Sequence, residues 1–283
     1  MNVEPTGKVI FIGAGTGDPD LITVKAVQYL HIADVVLTDR LVSEDILRRY
    51  VSPNAQIIEV GKQCKRGVST PQQTINELLV FHADENKLVV RLKGGDVSVF
   101  SNILDELEVL KQYNIPYEII PGITAALGAA AYGGIPLTAR GYATAVRILT
   151  FHNTNMMSEN SWKELAATDD TLVFYMSSST LEPLVQKMLE YNISNDKKIA
   201  IIEQATTPLQ QIYIAEMNTC MELWKDKEFI SPSLIIIGKV VSLHEKFAWF
   251  KGENVQEEDY FKPLTAVIES LIHHPNKLQV GRA

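Results

Sequence analysis

The strongest constraint on this chain is an alternation in its first 120 residues. Short apolar, β-branched runs at Val9 to Gly13, Asp34 to Thr38, Gln56 to Val60, Leu88 to Leu92 and Tyr117 to Ile120 are separated by segments of helical period. Runs of that length with little polar alternation suit strands covered on both faces of a parallel sheet. Between them Leu21, Val24, Val27 and Leu30 recur at helical spacing, as do Ile75, Leu78, Leu79 and His82. The second helical pattern opens on Thr70, with Pro71 in the first turn and Gln73 at the capping-box position, which makes Thr70 the expected cap. A βαβαβ order implies parallel strands joined by right-handed crossovers.

The second half repeats the theme with a difference. Strands are expected at Val146 to Phe151, Thr171 to Met176, Lys198 to Glu203, Gln211 to Ala215 and Ser233 to Val241. Only a short Thr-Thr-Pro turn separates the third of these from the fourth. That is too short for a helical crossover, so the second sheet should be mixed. Gly133, Gly134, Pro136 and the polar stretch Thr138 to Tyr142 read as the linker. The expected organisation is an N-terminal α/β domain over 1–138, a C-terminal α/β domain over 139–251 and a tail over 252–283 with no role assigned. Two open α/β domains face to face leave a cleft at their strand ends, where small ligands sit.

Charge narrows the classes. Lys plus Arg number 26 against 34 Asp plus Glu, a net charge of -8, whereas nucleic-acid and anionic-membrane binders need a basic field. Only Cys64 and Cys220 occur, with no CxxC and no His/Cys cluster, so neither a disulfide framework nor a structural zinc site is expected. No metal and a reducing cytoplasm are the corresponding expectations. The start, Met-Asn-Val-Glu-Pro-Thr-Gly, lacks the apolar stretch of a signal peptide. From Ile119 to Ala139 no residue is charged, but Pro121, Gly122, Gly128, Gly133, Gly134 and Pro136 interrupt it. It reads as a buried loop and an Ala-rich helix rather than a membrane span.

Three expected strands end in glycine turns: Gly13-Ala14-Gly15-Thr16-Gly17-Asp18-Pro19-Asp20, Lys93-Gly94-Gly95-Asp96 and Pro121-Gly122-Ile123-Thr124-Ala125-Ala126. Glycine weakens regular elements unless the backbone requires it, so three such turns at corresponding strand ends point to a ligand cradle. A nicotinamide dinucleotide is disfavoured, because the third glycine comes one residue early and Asp-Pro-Asp puts negative charge where a pyrophosphate would lie. Asp39, which falls where a ribose-binding acid would, keeps that reading open.

These turns, together with Asp39-Arg40-Leu41-Val42, Val60-Gly61-Lys62, Val90-Arg91-Leu92-Lys93, Gly134-Ile-Pro-Leu-Thr138 and Phe174-Tyr175-Met176, closely resemble the uroporphyrinogen-III C-methyltransferase family of the tetrapyrrole (precorrin) methyltransferase superfamily. The likeness runs in order from about Lys8 to Phe250. It implies the two-domain precorrin methyltransferase fold, an N-terminal parallel sheet facing a C-terminal mixed one across a cleft, and a homodimer. It also implies two methyl transfers from S-adenosyl-L-methionine to C2 and C7 of uroporphyrinogen III, giving precorrin-2 for siroheme or cobalamin synthesis. With no second module in the chain, a monofunctional enzyme is expected. Carried over by position, Thr16, Gly94, Gly95, Asp96, Val99, Thr124, Ala125, Met176 and Ala205 fall where the family contacts its methyl donor. Asp39 falls on the proton acceptor and Lys62 on the proton donor.

Each position has a plainer reading. Val99, Met176 and Ala205 could be core, Asp39 a turn-capping acid and Lys62 a solvated charge. The substrate's eight carboxylates demand a locally basic cleft, for which Arg40 and Arg147 are the chosen binders, with Lys65, Arg66 and Arg140 as neighbours. Departures from the family gather on this side: Asn102 replaces an arginine, and Gly141 and Ala145 differ. Methylation of a later precorrin and a non-catalytic tetrapyrrole-binding role are therefore the alternatives.

Overall fold

A computed structural model describes residues 7–63, 68–151, 157–177, 180–253 and 259–261, with backbone alone for 62–63 and 68–69. In chain order the first half runs β1 (Lys8–Gly13), α1 (Val24–Ile32), β2 (Val35–Thr38), α2 (Glu44–Tyr50), β3 (Gln56–Glu59), the small hairpin β4 (Lys62–Gln63) and β5 (Val68–Ser69), α3 (Gln72–Asp84), β6 (Leu88–Lys93), α4 (Leu104–Gln112), β7 (Tyr117–Ile120) and α5 (Ala125–Tyr132). The large strands form one parallel sheet in the order β3-β2-β6-β1-β7.

Alternation within those strands builds two cores. Val9, Phe11, Val35, Leu37 and Val89 pack on α3 and α4 through Ile75, Leu78, Leu79 and Leu110. Ile10, Ile12, Val36, Val90, Leu92 and Ile120 face the other way, onto Ala26 and Leu30 of α1 and Ile46 of α2. Side chains of period two on a doubly covered sheet produce this division. Edge strand β7 leaves Tyr117 and Ile119 exposed.

The second half runs β8 (Val146–Thr150), α6 (Glu159–Ala167), β9 (Thr171–Tyr175), α7 (Leu181–Glu190), β10 (Lys198–Glu203), β11 (Gln211–Glu216), α8 (Cys220–Leu223), β12 (Ser233–Gly238) and α9 (His244–Phe247). Its sheet, β11-β10-β12-β9-β8, is mixed: β8 and β9 are parallel and the other neighbours antiparallel. One face packs on α6, α7 and α8 through Trp162, Leu184, Met188 and Trp224. Strand β12 stops at Gly238, three residues before the end expected for it, and Val240 and Val241 continue as a buried 3-10 turn. A short apolar run does not tell strand from buried helical turn.

Helix α5 crosses between the halves. It follows β7 of the first sheet, yet Ala126, Ala129 and Ala130 pack on Val173, Ala200, Ile202, Leu234 and Ile236 of the second. Packing therefore changes hands near Pro121 to Thr124, upstream of the Gly133-Gly134 linker. Alanine's small side chain lets the helix lie close to the second sheet.

Among the described residues no helix is long and apolar enough to cross a membrane. The uncharged stretch 119–139 is the end of β7, a turn, α5 and the loop beyond it. At the start of α3, Thr70 is not the cap: the N-cap residue is Pro71, without a side-chain bond, and the Thr70 hydroxyl accepts instead from the Gly61 amide at 3.4 Å. That bond, with Thr70 N to Gly61 O at 2.9 Å, ties the base of the β4–β5 hairpin.

Candidate active site

The three glycine turns sit at the carboxyl ends of the adjacent strands β6, β1 and β7, next to the point where the strand order reverses, the usual ligand site of an open parallel sheet. They bind each other through backbone. Gly15 N donates to Gly95 O at 3.1 Å and Gly95 N to Gly15 O at 2.7 Å. A Cβ on Gly122 would lie 2.3 Å from Gly95 O and 2.5 Å from Gly13 O, so that glycine is required by turn packing. Gly95 differs: its φ is +71°, and a Cβ added to it would have Thr124 Cα, at 4.0 Å, as its nearest neighbour. Backbone conformation requires glycine there, and the space beside it is open.

A cavity of about 420 Å³ opens at these turns, within the roughly 300–1,000 Å³ range of small-molecule sites. Thr16, Gly94, Gly95, Asp96, Val99, Thr124, Ala125, Met176 and Ala205 all border it, and so do Asp39 and Arg40. Met176, the end of the Phe-Tyr-Met motif, is 56% exposed, which the core reading does not explain. Ala205 is buried and also belongs to the second sheet's core, while Val99 is half-buried.

Backbone strain collects here. Among the described residues, non-glycine residues with positive φ fall into two groups. Asn86, Asn114 and Asn192 follow helices α3, α4 and α7, where asparagine is a common terminator. Phe100, Asn102, Met176, Gln204 and Thr206, with φ between 47° and 67°, lie on the cavity wall or flank Ala205. Such positions cost about 1–3 kcal/mol each and persist where function or surrounding packing holds them. At Asn102 the left-handed backbone suits asparagine, whose Nδ2 donates to Asp105 Oδ2 at 3.2 Å.

Asp96 acts as the clasp between turns. Its Oδ2 accepts from Gly122 N at 2.9 Å and its Oδ1 from Ser98 N at 2.8 Å and from the Ser98 hydroxyl. Burial opposes its charge, but the Ser98 and Gly122 bonds outweigh that and hold the carboxyl below its ordinary pKa. The second lobe meets the first beside the cavity. Thr16 Oγ1 lies 2.9 Å from Thr206 Oγ1, and the Tyr175 hydroxyl bonds Thr124 Oγ1 at 2.6 Å and accepts from Ala126 N at 2.7 Å, capping α5.

Asp39, at the end of β2, joins a buried charge network. Arg91 NH2 donates to its Oδ1 at 2.6 Å, and Lys93 Nζ is 3.7 Å from its Oδ2. Arg91 also meets Glu106 at 3.2 Å, and Lys93 meets Glu106 at 3.3 Å. Two bases and two acids balance. Burial disfavours the Arg91 charge, yet Asp39 and Glu106 more than offset it, raising its pKa. Arg91, Lys93 and Glu106 were not identified as site residues from sequence. The available signal was a pair of charged residues inside the apolar run Leu88 to Lys93, since buried charges are kept only when paired.

Arg147, expected as a substrate binder, is not among the residues lining the cavity. It lies on edge strand β8 and is engaged by Asp170 and Glu164, each at 2.6 Å. Lys62 belongs to the β4–β5 hairpin; its side chain lies outside the described residues, as do Lys65 and Arg66. Of the basic residues lining the cavity, Arg91 and Lys93 are paired within the network. Burial pushes the Arg40 guanidinium below its ordinary value, with Asp259 opposing, and its Nε has no partner. Ser233 Oγ, also on the lining, is another buried polar atom without one. Among the described residues no group of three or more His, Cys, Asp or Glu could hold a metal ion.

This architecture, with its cavity at the glycine turns, is that of an enzyme class that methylates tetrapyrroles. The chain belongs to the Tetrapyrrole (Corrin/Porphyrin) Methylases, whose family model matches residues 8–219. Among solved structures, uroporphyrin-III-C-methyltransferase from Thermus thermophilus aligns with a TM-score of 0.72 at 32% identity, over 87% of this chain and 98% of that one. The same enzyme complexed with S-adenyl homocysteine aligns at 0.70 and 32%, over 84% and 100%. A cobalt precorrin-4 methyltransferase aligns at 0.74 with 26% identity, over 83% and 95%. Curated relatives include siroheme synthase 2 of Aeromonas hydrophila, 45% identical over 89% of this chain and 52% of its own length. Siroheme synthase of Vesicomyosocius okutanii is 41% identical over 89% of this chain and 54% of its own. The chain thus spans about half the length of the curated relatives it matches.

Proposed function

We propose that this chain transfers methyl groups from S-adenosyl-L-methionine to C2 and C7 of uroporphyrinogen III, giving precorrin-2. One observation carries the reading: nine positions implied by resemblance, scattered from Thr16 to Ala205, border a single cavity with Asp39 on its wall. The likeness to uroporphyrin-III C-methyltransferase, one example of it complexed with S-adenyl homocysteine, supports both substrate class and donor.

A methyl donor of this kind supplies an electrophilic methyl on a sulfonium centre, with an adenosine and a zwitterionic tail. Gly94, Gly95, Thr124 and Ala125 would present backbone to it, while Val99, Met176 and Ala205 supply an apolar wall. The exposed Met176 and the open space beside Gly95 fit such a group. A pyrrole carbon is electron-rich, so transfer needs alignment more than acid catalysis. Once that carbon is methylated the ring must lose a proton. Asp39, oriented by Arg91, is the carboxylate placed to receive it and to offset positive charge meanwhile. Lys62 would hold a substrate carboxylate or return a proton, and Arg40 would pair with another. We further propose a homodimer working in the cytoplasm.

Methylation of a later precorrin is the second reading, favoured by the fold match to the cobalt precorrin-4 enzyme. Incubation with uroporphyrinogen III and labelled S-adenosylmethionine separates them. Two methyls per tetrapyrrole support the first reading. Transfer only to an already methylated precorrin supports the second, and binding without transfer overturns both.

A further inference from the structure

Residues 259–261 lie beyond the family match, which ends at 219, and in a tail to which the sequence assigned no role. Yet Phe261 is buried and lines the cavity. The adjacent Tyr260 bonds to both lobes. Its amide donates to Gln204 Oε1 at 2.7 Å, immediately before Ala205 of the second lobe. Its hydroxyl donates to Asp45 Oδ2 at 3.1 Å and shares a 2.8 Å bond with Ser43 Oγ, at the start of α2 in the first lobe. Ser43 closes the short loop that begins with Asp39 and Arg40, and Asp259 acts electrostatically on Arg40. The Tyr260 and Phe261 rings meet edge to face at 5.1 Å, so anchoring the first also sets the second.

We propose that Asp259, Tyr260 and Phe261 form a strap that closes the cavity, Phe261 being a wall of the binding site and Tyr260 a positioning residue that anchors it to both lobes. The strap joins the two loops that carry opposite sides of the site, one with Asp39 and Arg40 and the other with Ala205. A ligand held between those loops must break its contacts with Phe261 before it leaves, so the strap acts chiefly on the dissociation rate. Three hydrogen bonds and a buried aromatic ring hold three residues to both lobes at once, which a passively docked tail would not require.

The inference rests on the donor-binding reading above, and S-adenosylhomocysteine is the probe. In the full-length chain, Phe261→Ala is expected to speed release of S-adenosylhomocysteine about tenfold, the usual scale for losing a well-buried aromatic contact. Tyr260→Phe, which keeps the ring but loses the hydroxyl bonds, should speed it a few-fold. Hydrogen exchange on the unaltered chain provides a readout independent of any variant: the ligand should increase protection at the Tyr260 amide. Release rates equal to or slower than the unaltered chain's, or no change in that protection on saturation, overturn the strap. If the unaltered chain takes up no S-adenosylhomocysteine, the donor-binding reading itself fails, and the strap with it.

Discussion

Replacing Arg91 by methionine removes the guanidinium that holds Asp39 and Glu106 while keeping a long side chain in its place. Arg91 and Glu106 are each 1% exposed. Without Arg91 the network retains Asp39, Glu106 and Lys93, a net charge of -1, with Glu106 and Lys93 buried and Asp39 open to the cavity. Breaking a buried pair by removing one partner costs about 3–5 kcal/mol. Lys93, 3.3 Å from Glu106, still compensates it in part, so about 3 kcal/mol is expected, a fall of roughly 6–12 °C in melting temperature for a domain of this size. Removing both partners is the decisive comparison. Arg91→Met with Glu106→Met leaves only Asp39 and Lys93, 3.7 Å apart and neutral together. The double variant should therefore be more stable than Arg91→Met, by about 1–3 kcal/mol, because buried pairs are often replaceable by apolar groups. Urea unfolding of the four proteins gives the cycle. A loss below about 1 kcal/mol for Arg91→Met, or a double variant no more stable than that single one, would refute the idea that charge balance holds this network together.

Asp39→Asn should bind S-adenosylhomocysteine normally by calorimetry yet transfer methyl groups at least about tenfold more slowly; unchanged turnover removes Asp39 from its role. The two kinds of glycine should part ways. Gly95→Leu, strained by about 1–3 kcal/mol but not clashing, should still melt cooperatively while losing most of its affinity for the donor. Gly122→Ala, whose Cβ meets two backbone oxygens at 2.3 and 2.5 Å, should lose the folded first lobe, and a stable Gly122→Ala protein contradicts the turn-packing account. Glu118, held by Lys25, Lys8 and Tyr29, is lowered to about 2 from an ordinary 4.5. Its carboxylate therefore stabilises the fold above pH 4.5, and that contribution is lost as pH falls toward about 2. Urea unfolding across that window should show the advantage over Glu118→Gln shrinking with acid, and high salt should reduce it; a difference independent of pH refutes the assignment.

Local chemistry made much of the protein readable in advance. Apolar runs such as Lys198–Glu203 and Leu88 to Leu92 are strands where expected, because a doubly covered sheet imposes its demand on nearly every residue of the run. The three glycine turns were legible because a missing side chain is visible in the sequence whatever surrounds it. Which of them serve packing was not: Gly122 is set by Gly13 and Gly95, more than twenty residues away along the chain. The same limit hid the rest. Glu106 reaches Arg91 from α4, Arg147 is drawn to Asp170 and Glu164 rather than to the cavity, α5 packs on the sheet that follows it, and Phe261 returns to a wall built of residues from both lobes. Hydrophobic period and turn residues act within a few positions of the chain, so sequence alone settles the elements and the special backbone sites. Charge pairing, helix ownership and cavity closure depend on which distant segments share a desolvated space, and only the folded chain decides that.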